Sequence, residues 1–267
     1  MKSRKDVLRL REKLIMSLRK ADIYFNLLRD DPSFVAGISG GFDSLVMLDL
    51  LHHYKEKYKL NFEIFAVFID NGIKHLKYPE KLENYVIKRG FTFHILHDCE
   101  TKKNILLREK PFNPCFICSR NRKRILIDFA SSHKAKRILI AHNLDDIIET
   151  LFLNMFYSRE ISTMLPSQPL FKGKYFISRP LSLVDRSFIL KYASLNDISE
   201  KYEDTCPYES VNKRKLTQEF LKNLYQLDPQ IHKNLKHTLF NCNSDFLWGR
   251  YKNIKEALFR PRLNERS

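Results

Sequence analysis

Gly37-Ile38-Ser39-Gly40-Gly41-Phe42-Asp43-Ser44 is the stretch that decides the fold. It follows the β-branched and aromatic run Phe34-Val35-Ala36 and opens into Leu45-Val46-Met47-Leu48-Asp49-Leu50-Leu51, so a buried strand hands over to a helix here. Closely spaced glycines let the backbone turn sharply and approach an anion with no Cβ in the way, and the helix that follows offers unpaired N–H groups. Ser39 and Ser44 add hydroxyl donors, and Asp43 adds a carboxylate able to hold a magnesium ion. Neither Gly-x-x-x-x-Gly-Lys-Ser/Thr nor Gly-x-Gly-x-x-Gly is present, which excludes a Walker A loop and the dinucleotide fingerprint. An incidental Gly-Gly turn would not call for strand, loop and helix in this order.

Outward from the loop, Phe62 to Ile69, Phe91 to Leu96, Arg137 to Ala141 and Tyr175 to Ser178 read as further strands, and helical phasing separates them. The alternation predicts an α/β fold, a doubly wound, mostly parallel five-stranded sheet with the opening loop at the carboxyl edge of its first strand. An N-terminal helix is expected within 1–31, the α/β domain over 32–184, and a helical C-terminal region over 185–267. Lys102-Lys103 and Arg108-Glu109-Lys110-Pro111 read as a polar excursion.

Three acidic positions leave two readings open. Asp70 lies just past a strand's carboxyl end, where it either faces a nucleotide or shapes a turn with Asn71 and Gly72. Asp145 and Asp146, after His142-Asn143-Leu144, either cap the next helix or help hold magnesium.

The 267 residues are 43% hydrophobic and 29% charged, and no run of about 18 apolar residues occurs, so no transmembrane helix is expected. Met1 to Leu18 interleaves charges with leucines, an amphipathic helix rather than a signal peptide, which places the chain in the cytosol. Lysine and arginine number 47 against 31 acidic residues, a formal net charge of +16, which favours a polyanionic partner such as nucleic acid, although a membrane surface could use the same excess.

Cys115-Phe116-Ile117-Cys118 puts two thiols three positions apart, able to share one metal or one cluster. The helix after it begins with Arg120, Arg122, Lys123 and Arg124, which suit either a nucleic-acid backbone or a solvated face. Cys206-Pro207 lies in turn-like sequence, while Cys99 and Cys242 read as buried structural thiols.

The loop Ser-Gly-Gly-x-Asp-Ser resembles the pyrophosphate loop (PP-loop) of the ATP pyrophosphatase superfamily, also called adenine nucleotide α-hydrolase-like. With Cys115 to Arg120, His142 to Tyr157, and Arg179-Pro180-Leu181 followed by Cys206-Pro207, the chain resembles the tRNA 2-thiocytidine synthetases, the TtcA family. The resemblance implies ATP bound by Ser39, Gly40, Gly41, Phe42, Asp43, Ser44, Asp70, His142, Asp145 and Asp146, with Mg2+. It implies a [4Fe-4S] cluster on Cys115, Cys118 and Cys206, with one iron open to carry sulfide. It also implies tRNA as substrate, gripped by the basic helix, with cytidine 32 of the anticodon loop adenylated at O2 and converted to 2-thiocytidine. Asp43 and the three cysteines would be catalytic. A cysteine desulfurase or free sulfide would supply the sulfur, and a homodimer is compatible with the family. Phe42 stands where that family usually has lysine. A ligase of the lysidine synthetase kind would leave the three cysteines idle, and a persulfide thiolase would need no cluster. A zinc-stabilised RNA-binding protein would need a fourth ligand such as His97 or His142.

Overall fold

The structure is a computed structural model that describes residues 4–28, 31–73, 75–107, 114–196, 198, 202, 206–208 and 213–247. Six strands form one sheet: β1 (Ser33–Ile38), β2 (Glu63–Asp70), β3 (Thr92–His97), β4 (Arg137–Ile140), β5 (Ser167–Leu170) and β6 (Tyr175–Ser178), in the order β3-β2-β1-β4-β6-β5. All neighbours are parallel except β5, which runs antiparallel to β6. The sheet therefore has six strands rather than the expected five. The extra one carries Pro169, which cannot donate to a ladder and is tolerated because β5 is an edge.

The helices are α1 (Arg4–Phe25), α2 (Phe42–Tyr58), α3 (Pro79–Ile87), α4 (Cys99–Leu106), α5 (Pro114–Ser132), α6 (Leu144–Leu153), α7 (Arg186–Leu195), α8 (Lys213–Leu227) and α9 (Pro229–Thr238). The stretch around Lys102-Lys103, expected to be an excursion, folds as α4. Asp98 caps it by accepting from the backbone N–H of Glu100 at 3.1 Å and of Thr101 at 3.2 Å. Asn121 Nδ2 of α5 donates to the buried Thr101 hydroxyl at 2.8 Å, so α4 packs on the helix that carries the paired cysteines.

Strand alternation sorts β1 between two cores. Phe34, Ala36 and Ile38 join Leu45, Met47, Leu48, Leu14, Ile15 and Leu18 on the face covered by α1 and α2. Val35 joins Val67, Ile138, Leu126 and Ala130 on the face covered by α5. With β1 buried on both faces, each large apolar side chain there contributes roughly 1.5–3 kcal/mol. At Gly37 of β1 an added Cβ would lie 2.8 Å from Leu126 Cδ1 of α5 and 2.9 Å from Ile140 Cδ1 of β4.

Residues 1–221 form one compact unit and 222–267 a second. In the second, Asp228 caps α9 by accepting from Gln230 N at 2.7 Å, and the Tyr225 and His232 rings lie 4.7 Å apart. Among the described residues no helix is long and apolar enough to cross a membrane. Cys99 and Cys242 are both exposed, which corrects their expected burial. Cys99 is the first residue of the unforeseen α4 and, with Glu100 and Lys102, lies on its exposed side, opposite the buried Thr101.

Candidate active site

The loop leaves β1 and turns at Gly40, whose φ of +80° is in the region that favours glycine. Its serines hold the turn from within. Ser44 Oγ donates to Gly41 O at 2.8 Å and accepts from Ser39 N at 3.3 Å, while Gly41 N donates to Ser39 Oγ at 3.2 Å. The Gly40 carbonyl accepts from the backbone N–H of Tyr202 at 3.0 Å, and the Tyr202 carbonyl accepts from Lys77 N at 2.9 Å. Phe42, at the start of α2, is half-buried and packs its side chain against the larger core.

Asp43, in the first turn of α2, meets the acidic start of α6 through Asn143, whose Nδ2 donates to Asp43 Oδ1 at 3.1 Å. Burial pushes the Asp43 carboxyl above its ordinary range, and nearby Asp146 adds to the rise; Arg186, the Asn143 bond and Arg214 oppose it. Asp146 completes a reciprocal cap with Asn143: Asn143 N donates to Asp146 Oδ2 at 2.9 Å, and Asp146 N to Asn143 Oδ1 at 3.1 Å. Two cations then pair with this helix start. Arg186 reaches Asp146 at 2.7 Å and Glu149 at 2.8 Å, and Arg214 reaches Glu149 at 3.0 Å and also pairs with Asp146. Asp145 accepts from Arg186 N at 2.7 Å.

His142, just past β4, accepts at Nδ1 from Arg179 Nε at 3.2 Å, which leaves Nε2 as the protonated nitrogen of the neutral ring. Desolvation first, then the Arg179 charge, lowers its pKa to about 3. Arg179 is itself buried, which brings it down to about 10, and it donates to the Leu165 carbonyl and, at 3.0 Å, to Gln168 of β5. The unforeseen edge strand thus helps hold a buried cation beside His142.

Cys115, Cys118 and Cys206 line one cavity of about 320 Å³ together with Ser39 of the loop, Asn71, Ile105, Arg122, Tyr208 and Arg214. All three thiols are free of disulfides. Burial, then the closeness of Cys206 and Cys118, pushes the Cys115 thiol up, so an electron-rich sulfur set faces a common space. Asn71 is buried and donates from Nδ2 to Cys118 Sγ at 3.1 Å, with its own Oδ1 held by Ile73 N at 3.1 Å. Three sulfurs around one cavity, one of them accepting an amide N–H, fit an iron–sulfur cluster held by three thiolates. Zinc fits less well: neither His97 nor His142 lines the cavity as a fourth ligand.

The sequence-predicted residues therefore divide. Ser39 and the three cysteines share a cavity, and Asp43, Asp146 and Asn143 share a hydrogen-bonded cluster. Asp70 goes elsewhere: its carboxylate accepts from Gly72 N at 3.0 Å, the turn-shaping role, and lies 3.2 Å from His75 and 3.7 Å from His97. Of the basic residues on α5, Arg122 lines the cavity, and Arg120, Lys123 and Arg124 are exposed. Asn71, Asn143, Glu149, Arg186 and Arg214 were not foreseen as site residues, because each gains its meaning from a partner distant in sequence.

A family model described as a PP-loop domain matches residues 12–223. A tRNA-cytidine(32) 2-sulfurtransferase of Hahella chejuensis is 34% identical over 200 residues, covering 73% of this chain and 68% of that protein. The chain belongs to the tRNA-cytidine(32) 2-sulfurtransferase family of PP-loop proteins. A second 2-sulfurtransferase of this family, from Marinobacter nauticus, is 30% identical over 241 residues, 88% of this chain and 77% of the relative. Among solved structures, the U34-tRNA thiolase NcsA from Methanococcus maripaludis with its [4Fe-4S] cluster has a TM-score of 0.67 at 22% identity, covering 87% of this chain and 81% of that one. That likeness is one of fold: this 2-sulfurtransferase family member shares the architecture of that thiolase.

Proposed function

We propose that the protein uses ATP to thiolate tRNA, converting a cytidine of the anticodon loop, position 32 as in the names of its relatives, to 2-thiocytidine. The observation that carries this is the shared cavity of Ser39, Cys115, Cys118 and Cys206, which joins a phosphate-binding loop to three thiols. The base O2 attacks the α-phosphorus of ATP, pyrophosphate leaves, and sulfide then replaces AMP at C2. The N–H groups around Gly40 and Gly41 hold the departing pyrophosphate, with Asp43 retaining Mg2+. His142, neutral and proton-bearing at Nε2, donates to the nucleotide without adding charge. Cys115, Cys118 and Cys206 would hold a [4Fe-4S] cluster, which supplies an open iron site for sulfide. Asn71 orients and polarises the Cys118 ligand, and Arg122 and Arg214 attract the RNA backbone into the cavity mouth. The sulfur comes from a cysteine desulfurase or free sulfide, and the protein works in the cytoplasm.

The test uses anaerobically reconstituted protein with ATP, sulfide and tRNA, reading nucleosides by mass spectrometry. Wild type should bind about four irons per chain and form 2-thiocytidine, and Asp43→Ala should lose thiolation at unchanged iron content. Colourless protein with stoichiometric zinc, or full turnover by Asp43→Ala, would overturn the proposal.

A further inference from the structure

An aromatic surface stands beside the cavity and takes no part in the chemistry above. The α6 helix ends in one π-helical turn, Asn154–Ser158, closed by Arg159 at φ +57°. Such a turn widens the helix and rotates the residues after it. Asn154 Nδ2 fixes it by donating to the Ser162 carbonyl at 2.9 Å and hydroxyl at 3.0 Å. The result turns Phe156 and Tyr157 outward, 47% and 42% exposed, where continued α-helix packing would favour burying such rings.

These rings do not stand alone. Phe156 packs edge to face with Phe220 of α8 at 5.5 Å and with Phe152 at 5.6 Å. Lys213 of α8 sits 4.7 Å over the Tyr157 ring. None of these aromatics belongs to either buried core. Lys213 is followed directly by Arg214, which lines the cysteine cavity, so the aromatic surface adjoins the cavity through consecutive residues of one helix. With Arg214 already paired to Asp146 and Glu149, the sequence neighbours Arg159, Lys213 and Lys215 still outnumber Glu160 and Glu219, a cationic excess that suits a polyanion better than an apolar protein partner.

Resting on the tRNA substrate proposed above, we propose that Phe156, Tyr157 and Phe220 form the platform on which unpaired bases beside the target nucleotide stack, with Lys213 holding their backbone. Single-stranded RNA loops are read this way: every base offers a π-face, so stacking gives grip without dictating sequence, and it keeps a splayed loop open. The cavity lined by Arg214, the residue after Lys213 on α8, then receives the base to be modified.

The experiment measures binding of a fluorescent anticodon stem-loop RNA to the reconstituted full chain by anisotropy across a salt series, beside a fully paired RNA of equal length. Tyr157→Leu and Phe156→Leu keep apolar bulk and remove the π-face. Each should weaken stem-loop binding by about tenfold, leave paired-RNA binding and iron content unchanged, and leave the salt slope unchanged. Lys213→Met should instead lower that slope by about 0.7. Wild-type affinity in both leucine variants would overturn the platform while leaving the tRNA substrate intact; no RNA binding by wild type would refute the substrate itself. Loss of a dimer in the leucine variants, seen by light scattering, would overturn the platform in favour of a second copy. If Phe156→Leu lowers the melting temperature, Tyr157→Leu carries the test, since Phe156 and not Tyr157 makes the edge-to-face contacts with Phe152 and Phe220.

Discussion

Gly37→Ala isolates one physical demand of this fold. An alanine Cβ would meet Leu126 Cδ1 at 2.8 Å and Ile140 Cδ1 at 2.9 Å, about 0.7 Å inside the separation of roughly 3.5–4.0 Å at which carbon atoms attract. Both obstacles are ends of side chains, so part of the overlap can be relieved by rotamer changes, but Leu126 is buried at 4% exposure against Val35 and Ile138. Overpacking of this kind costs about 1–3 kcal/mol. Loss of glycine's freedom in the unfolded chain returns about 0.4–1 kcal/mol. The net is a destabilisation of about 1–2 kcal/mol, or a melting temperature lowered by about 2–8 °C for a unit of this size. Urea unfolding of the cluster-free chain, followed by far-UV circular dichroism, reads it directly. In Gly37→Ala/Leu126→Ala the nearer of the two clash partners is gone and Ile140 remains, so the double variant should be more stable than the sum of the single losses by about 0.5–1 kcal/mol. An unfolding midpoint for Gly37→Ala at or above wild type, or strict additivity in the pair, would refute the close approach of α5 to β1.

Three further outcomes are expected. Since the folded His142 has a pKa of about 3 against 6.5 unfolded, the unfolded chain binds a proton between these values that the folded chain refuses. This contribution to stability is complete above pH 6.5 and shrinks as the pH falls, by up to about 2 kcal/mol at pH 5. His142→Gln should flatten the fall in urea midpoints between neutral and acidic buffer, and equal slopes would contradict it. Arg186→Leu and Arg214→Leu should each cost about 1–3 kcal/mol, because the other cation still serves Asp146 and Glu149. The double variant leaves both buried carboxylates unpaired and should exceed the sum; a double-mutant cycle showing additivity would sink the shared network. Finally, Lys123→Ala and Arg124→Ala should each lower the salt slope of tRNA binding by about 0.7–0.9 if α5 meets the phosphate backbone, and unchanged slopes would place that contact elsewhere.

The core of the fold was legible because its signals are local. Glycine spacing after a β-branched run gave β1, its loop and α2 within a few residues, and apolar runs gave β2, β3, β4 and β6. What escaped depends on partners. Ser167–Leu170 has no alternation and contains proline, so only its pairing with β6 makes it a strand. The polar stretch that became α4 is helical through its Asp98 cap and its contact with Asn121. The same division holds in the site. Paired cysteines three residues apart announce themselves, whereas Arg186 and Arg214 stand 40 and 68 positions from Asp146. Asn71 reads as a turn former in sequence and becomes a donor to sulfur only when α5 is folded beside it. Phe42, puzzling as a loop residue, is a half-buried residue at the loop's end that packs against the larger core.

The backbone of Tyr202 bridges Gly40 and Lys77 with one donor and one acceptor. It lies four positions before Cys206 and is the point where the C-terminal part of the chain grips the nucleotide loop. A ligand that repositions the Gly40 carbonyl therefore works against this bridge, and a group that tightens the segment around Cys206 works with it or against it. By thermodynamic reciprocity, whatever factor nucleotide binding imposes on the sulfur ligands through this bridge, the sulfur ligands impose on nucleotide binding. Any coupling that this bridge carries between the two halves of the site passes through the two backbone groups of one residue, the N–H and the carbonyl of Tyr202.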